Sequence, residues 1–203
     1  MKKMKTKNMK ISLLAVAVVV TGLMSCGKEE VPPPPPTPSI SIVDSVEIPF
    51  SSNNYLFYSL KDSAVVATSD SATTKWDFGF RFVNIIVNSH SSGPGSAGVI
   101  TETGIYDNFT TAPETGYAYD TSATQPAINA GLTTGWYNYD ENTHAFSPKA
   151  GQFFVIRTAD NHYAKMEILS VTYAGYVSPT APPTTLIYKF RYNYQADGTG
   201  NLQ

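Results

Sequence analysis

From Thr185 to Tyr194 the chain alternates in character: Leu186, Tyr188, Phe190, Tyr192 and Tyr194 are apolar or aromatic, and Lys189, Arg191 and Asn193 between them are polar. A period of two puts the first set on one face of an extended segment and the second on the other. Such a segment is a half-buried strand of an antiparallel sheet. The rest of the chain agrees. Runs of β-branched and aromatic residues are broken by Gly, Pro, Asn, Asp and Ser, and apolar residues nowhere recur at helical spacing. The expected strands are Ser41–Ile48, Tyr55–Ser59, Ala64–Ala67, Trp76–Phe82, Ile85–Asn88, Gly98–Thr101, Gly135–Tyr139, Gln152–Thr158, His162–Tyr173 and Thr185–Tyr194. Ala159-Asp160-Asn161 supplies hairpin turn chemistry between two of them. The expected fold class is all-β, a single predominantly antiparallel β-sheet domain with no internal repeat.

The N-terminus has a different logic. Residues 1–25 carry five lysines (Lys2, Lys3, Lys5, Lys7, Lys10) and no acid, followed by an apolar stretch from Ile11 to Val20. That is the pattern of a signal peptide, and it is shorter than the roughly 20 apolar residues that span a bilayer. Leu23-Met24-Ser25-Cys26 resembles the lipobox of bacterial lipoproteins, which implies acylation of Cys26 and cleavage before it; an unlipidated secretory peptide is the competing reading. Cys26 is the only cysteine, so no internal disulfide supports the fold. Gly27-Lys28-Glu29-Glu30 resembles the export signal by which Bacteroidetes lipoproteins reach the outer cell face. Val31 to Pro38 is proline-rich and favours polyproline II, a stiff tether. The expected organisation is a lipoprotein signal peptide (1–25), a lipidated Cys with a Pro-rich tether (26–38) and a β domain (39–203). The expected location is the outer membrane, exposed at the cell surface.

Without the leader the chain keeps all sixteen acids but nine of its fourteen Lys and Arg, a net charge of −7. The remaining cations are scattered, which argues against nucleic acid as a partner. Gly93-Pro94-Gly95-Ser96-Ala97-Gly98 fits the spacing of a dinucleotide fingerprint, but the strand-like Val99-Ile100-Thr101 follows it where a helix is required. It reads as a loop. Asp77-Phe78-Gly79 matches a kinase tripeptide without any accompanying kinase motif. No nucleophile elbow or H-E-x-x-H pair is present, and Asp140 and Glu141, adjacent at a strand end, point apart. Binding rather than catalysis is the expectation.

Five segments occur in an order that resembles the HmuY family of Bacteroidetes haem-binding lipoproteins. They are Lys75-Trp76-Asp77-Phe78-Gly79-Phe80, Ile85-Ile86-Val87-Asn88-Ser89 leading into Ser92–Val99, Gly135-Trp136-Tyr137-Asn138-Tyr139, Phe154-Val155-Ile156-Arg157-Thr158-Ala159-Asp160, and Tyr163-Ala164-Lys165-Met166-Glu167-Ile168. The resemblance implies an all-β fold and capture of haem through two axial side chains, a pair of His or a pair of Met. It also implies passage of the haem to a TonB-dependent outer-membrane receptor. The sequence departs from the family between Tyr119 and Trp136, where longer members insert a hairpin carrying one ligand; here the stretch is short and holds neither His nor Met.

Haem iron accepts a neutral imidazole or a thioether from within an apolar slot. His144, just past the Gly135–Tyr139 strand and in the same general stretch as one family ligand, is the first candidate; an exposed loop histidine is the bland alternative. His90, in a glycine- and serine-rich loop, is the second. Met166 is the third, although it shares a strand face with Ile168, away from Lys165 and Glu167, which points to core packing. His162 follows the hairpin turn and is expected at an exposed tip. Trp76 and Trp136 fit core positions better than a stacking platform. No metal other than haem iron is expected. The rival function is a non-haem module for adhesion or glycan binding on the same fold.

Overall fold

The computed structural model describes residues 39–174 and 183–203. The signal peptide, Cys26 and the Pro-rich tether lie outside the described residues. Eleven strands are present among those described: β1 (Ser39–Pro49), β2 (Leu56–Ser59), β3 (Ala64–Val66), β4 (Phe78–Arg81), β5 (Asn84–Val87), β6 (Gly98–Thr103), β7 (Tyr137–Asp140), β8 (Ala145–Pro148), β9 (Gln152–Arg157), β10 (Tyr163–Ala174) and β11 (Thr185–Gln195). They form a five-stranded sheet in the order β1-β11-β10-β9-β6, a four-stranded sheet β3-β2-β4-β5, and a two-stranded ribbon β7-β8. Every pairing is antiparallel, so the expected fold class holds, divided among three sheets. Strand β8 was not among the sequence expectations. It is four residues long, ends in Pro148 and buries only Phe146, too little to show a period.

Strand β11 supplies the centre of the core. Leu186, Tyr188, Phe190 and Tyr192 are all at most 1% exposed. Phe80 of the four-stranded sheet packs on Tyr188 and Phe190 with ring centroids 5.2 and 6.0 Å apart, and Tyr58 meets Phe190 edge-on at 5.4 Å. Two tyrosines that cross this apolar layer satisfy their hydroxyls on backbone opposite. Tyr192 donates to the Leu60 carbonyl at 2.9 Å and Tyr188 to the Phe82 carbonyl at 2.6 Å. Trp76 and Trp136 are both buried, their indole N–H groups donating to Ser71 and Val83 carbonyls.

The other face of β11 stays partly solvated at Lys189 and Arg191, as its polar residues suggested, but not at its C-terminal end. Asn193 and Lys165 are buried beneath a second cluster of Tyr106, Ala112, Phe153, Val155 and Leu202. The Lys165 ammonium donates to the Tyr106 and Phe109 carbonyls at 3.0 and 2.7 Å and sits 4.5 Å over the Tyr106 ring. The Tyr106 hydroxyl donates towards the Lys165 carbonyl and Asn193 Oδ1. The segment around Tyr106 and the C-terminal residues, joined by Leu202 N–H to Thr110 and Ala112 N–H to Gly200, thus cover that end of the sheet.

The alternation in β10 also changes phase. Its register against β11 shifts between Ile168 and Ser170, a β-bulge that leaves Leu169 39% exposed while Ile168 and Val171 both enter the core.

Candidate functional site

The β7–β8 ribbon turns through Glu141–His144. Asp140 Oδ1 accepts the Asn142 N–H at 2.8 Å and the Thr143 N–H at 3.3 Å, the local hydrogen bonding for which aspartate is favoured in turns. Those bonds hold its carboxyl below the ordinary carboxylate range. The turn closes at His144 with φ +58°, a left-handed conformation that histidine adopts more readily than bulky apolar residues do. From there the His144 ring reaches back over β7, where Nδ1 lies 2.6 Å from the Tyr139 hydroxyl. The His144 carbonyl accepts a hydrogen bond from the Tyr173 hydroxyl on β10.

Beneath this turn lies a cavity of about 750 Å³, lined by Tyr137, Tyr139, Asn142, Thr143, His144 and Phe146 of the ribbon and by Phe50, Phe82, Leu132, Tyr173 and Pro183 from elsewhere. Its walls are edge-to-face aromatics: Phe50 on Phe82 at 5.2 Å, Phe82 on Phe146 at 5.3 Å, and Phe50 on Tyr173 at 6.0 Å. Phe50 and Phe82 remain more than a third exposed, an unusual state for large apolar rings clustered together. Burial pushes the Tyr137 phenol above its ordinary pKa, and burial, aided by Tyr139 nearby, does the same for Tyr173. Both stay neutral and able to donate hydrogen bonds. Among the described residues that line it, none carries a carboxylate, ammonium or guanidinium.

Phe82 is held in a strained backbone conformation. The sequence reading set it at the end of a strand. In the structure it is the first residue of the tight turn between Arg81 and Asn84, at φ +52°. A bulky residue in that region costs about 1–3 kcal/mol and persists only where its surroundings hold it. Here the Tyr188 hydroxyl and the Trp136 indole fix the carbonyls of Phe82 and Val83. The sequence reading placed the break between β4 and β5 at Val83-Asn84, one residue late, because Phe82 itself carries no turn signal, and Phe50 and Tyr173 join the site only through the packing of distant segments.

The other candidates lie elsewhere. His90 is exposed at φ +43° in the β5–β6 connection and stacks on Tyr119, with centroids 5.0 Å apart and planes 11° apart; it does not line the aromatic cavity. Its loop is less free than its composition implied. Asn88, fully buried, donates to the Thr73 and Trp76 carbonyls and accepts the Gly95 N–H. Met166 is 0% exposed within the main core, where an iron atom would have to displace packed side chains. His162 is not a free tip: it packs near Tyr194, with Nδ1 3.1 Å from Asp160 Oδ1 but outside hydrogen-bond geometry. No group of three His, Cys, Asp or Glu able to hold a metal ion occurs among the described residues.

The family model described as HmuY protein matches residues 51–180, a span that includes every segment from Lys75 to Ile168 singled out above. A search of curated proteins found no match. Among solved structures, similarity extends to a protein from Bacteroides vulgatus described as a HmuY_like heme binding protein, at 15% identity over 77% of this chain and 92% of that one with a TM-score of 0.46. It extends also to a protein from Bacteroides fragilis described as a lipoprotein, at 14% identity over 74% and 90% with a TM-score of 0.46. A third is the apo HmuY analog of Tannerella forsythia, at 10% identity over 75% and 97% with a TM-score of 0.47.

Proposed function

Because this chain belongs to the HmuY family, we propose that it binds haem in the aromatic cavity beneath the β7–β8 turn, with His144 as an axial ligand and without altering the porphyrin chemically. The observation that carries this reading is the position of His144 on the wall of an aromatic-lined space of about 750 Å³, within the roughly 300–1,000 Å³ of small-molecule sites. An imidazole beside apolar rings is what iron protoporphyrin requires: a donor for the metal and dry surfaces for the flat macrocycle. With Nδ1 taken by Tyr139, coordination falls to Nε2.

The lining contains no second imidazole and no thioether, and residues 175–182 contain neither His nor Met. Among the described lining residues His144 would therefore be the only imidazole or thioether ligand, and a high-spin iron is expected. We place the protein at the outer membrane through lipid on Cys26, delivering haem to a TonB-dependent receptor.

Titration of the purified protein with ferric haem tests the reading. A saturable Soret shift with a high-spin spectrum, lost in His144→Ala, is expected. A wild-type protein without any Soret change overturns the haem reading and leaves the glycan or adhesion module. A full spectrum in His144→Ala removes the ligand assignment. Incorporation of radiolabelled palmitate, abolished by Cys26→Ser, tests the anchor.

A further inference from the structure

We propose that Tyr139 is a positioning residue for iron ligation, orienting the His144 imidazole and tuning its donor strength through Nδ1. The proposal rests on the haem reading above and concerns a side chain that would never touch the iron.

Two tyrosines from different elements hold His144. Tyr173, on β10, donates to its backbone carbonyl, fixing where the turn ends. Tyr139, on β7, meets the ring itself, its hydroxyl 2.6 Å from Nδ1. Tyr139 is in turn supported by its cross-strand partner Phe146, whose ring centroid is 5.0 Å away. With the backbone set by one phenol and the ring by the other, the imidazole has one orientation, and Nε2 lies on the edge turned away from Tyr139.

A histidine that ligates a metal through one nitrogen needs a proton and an acceptor at the other, an arrangement that orients the ring and raises its basicity. A phenol oxygen both donates and accepts. The same 2.6 Å contact therefore accommodates the tautomer with the proton on Nδ1, which leaves the Nε2 lone pair for iron. Phenylalanine at 139 would keep the aromatic wall and the packing on Phe146 while removing the acceptor. Tyr139 is only partly buried, so this change leaves folding intact. A tyrosine that merely stiffened the hairpin would influence stability but not the electronic properties of a bound iron.

The test compares wild type, Tyr139→Phe and Tyr173→Phe, each titrated with ferric haem, then reduced for resonance Raman of the iron–histidine stretch and for the midpoint potential. Tyr139→Phe is expected to weaken ferric haem binding by about 10–100-fold, lower the iron–histidine stretch and shift the potential upward. Tyr173→Phe frees the His144 carbonyl and alters the cavity wall, so weaker haem binding is expected; with Nδ1 still met by Tyr139, its iron–histidine stretch is expected to stay closer to wild type than that of Tyr139→Phe. If Tyr139→Phe alters the melting temperature, the stretch and potential of its haem-bound fraction still carry the expectation, because they report on Nδ1 whatever the stability. A wild type that binds haem beside a Tyr139→Phe variant with identical affinity, stretch and potential overturns the positioning role alone. A wild type that binds no haem overturns the reading beneath it as well.

Discussion

The hydroxyl of Tyr188, a fully buried side chain at the centre of β11, donates at 2.6 Å to the carbonyl of Phe82, the left-handed residue that forms one wall of the aromatic cavity. This hydrogen bond, beside that from Trp136 to Val83, ties the core to the site. Burial drives the Tyr188 pKa well above its ordinary value, so the phenol stays protonated and keeps donating. Tyr188→Phe leaves the Phe82 carbonyl without this donor, and a loss of about 1–2 kcal/mol of stability is expected. Urea unfolding monitored by tryptophan fluorescence measures it, and the same variant is expected to bind haem more weakly because the turn at Phe82 is loosened.

Phe82 occupies a conformation suited to Gly or Asn. Phe82→Asn relieves strain worth about 1–3 kcal/mol but gives up the contacts with Phe50 and Phe146. Stability within about 1 kcal/mol of wild type is expected, because strain relief and lost packing are of similar size. Haem affinity, by contrast, is expected to fall by roughly tenfold, the equivalent of about 1.4 kcal/mol. Parallel thermal melts and Soret titrations separate the two effects. A variant that loses both in proportion would show that Phe82 serves the fold rather than the site.

Asp77 is buried, and each of its carboxylate oxygens accepts one backbone N–H, from Leu60 at 2.8 Å and Ala159 at 2.9 Å. Loss of solvent raises its pKa to about 6 despite those bonds, which act in the opposite direction. A carboxyl raised in the folded state binds its proton more tightly there than in the unfolded chain. Its contribution is therefore fully present below about pH 4 and is lost as pH rises through about 6. The expected swing is about 3 kcal/mol. Unfolding free energies of wild type and Asp77→Ala at pH 4, 5, 6 and 7 are expected to converge as pH rises across this window. A pH-independent difference would mean that Asp77 titrates normally.

A β-carbon at Gly93 would stand 2.2 Å from Asn88 Oδ1 and 2.8 Å from the Trp76 ring. Gly93 and Gly95, two of the three glycines that resemble a phosphate-binding fingerprint, serve instead to let the loop close over buried Asn88, whereas Gly98 lies against Tyr117 and Tyr119. Gly93→Ala is expected to destabilise the protein by about 1–3 kcal/mol through overpacking. Nucleotides are expected to produce no change in the melting temperature of either form, measured by differential scanning fluorimetry.

Much of the fold was legible because it depends on local periodicity. The alternation of Leu186 to Tyr192 and the turn at Ala159-Asp160-Asn161, where Asn161 does adopt a positive φ, each carry their signal within a few residues. Strand β8, the turn at Phe82 and the phase change at Leu169 do not. The first is too short to show a period; the second was expected one residue later, because nothing local marks Phe82 for a positive φ; and the third is a bulge whose register is set by pairing with β11. The candidate site was half legible. His144 stood out as an imidazole near a family-like segment, whereas Phe50, Phe82, Tyr139 and Tyr173 were indistinguishable from the other aromatics.

The sequence by itself determined that strands pair antiparallel around an aromatic core, because side chains two residues apart must share a face and the apolar ones seek the dry side. It also narrowed the candidates for the proposed iron ligand to a few side chains, because only three histidines are present and Met166 shares a strand face with core residues. Only the tertiary structure decided which of them meets a cavity. That depends on where the end of β1, the β4–β5 turn, the β7–β8 ribbon and the far end of β10 come together. Contacts between residues far apart in the chain are set by whole-sheet packing, and no local pattern encodes them.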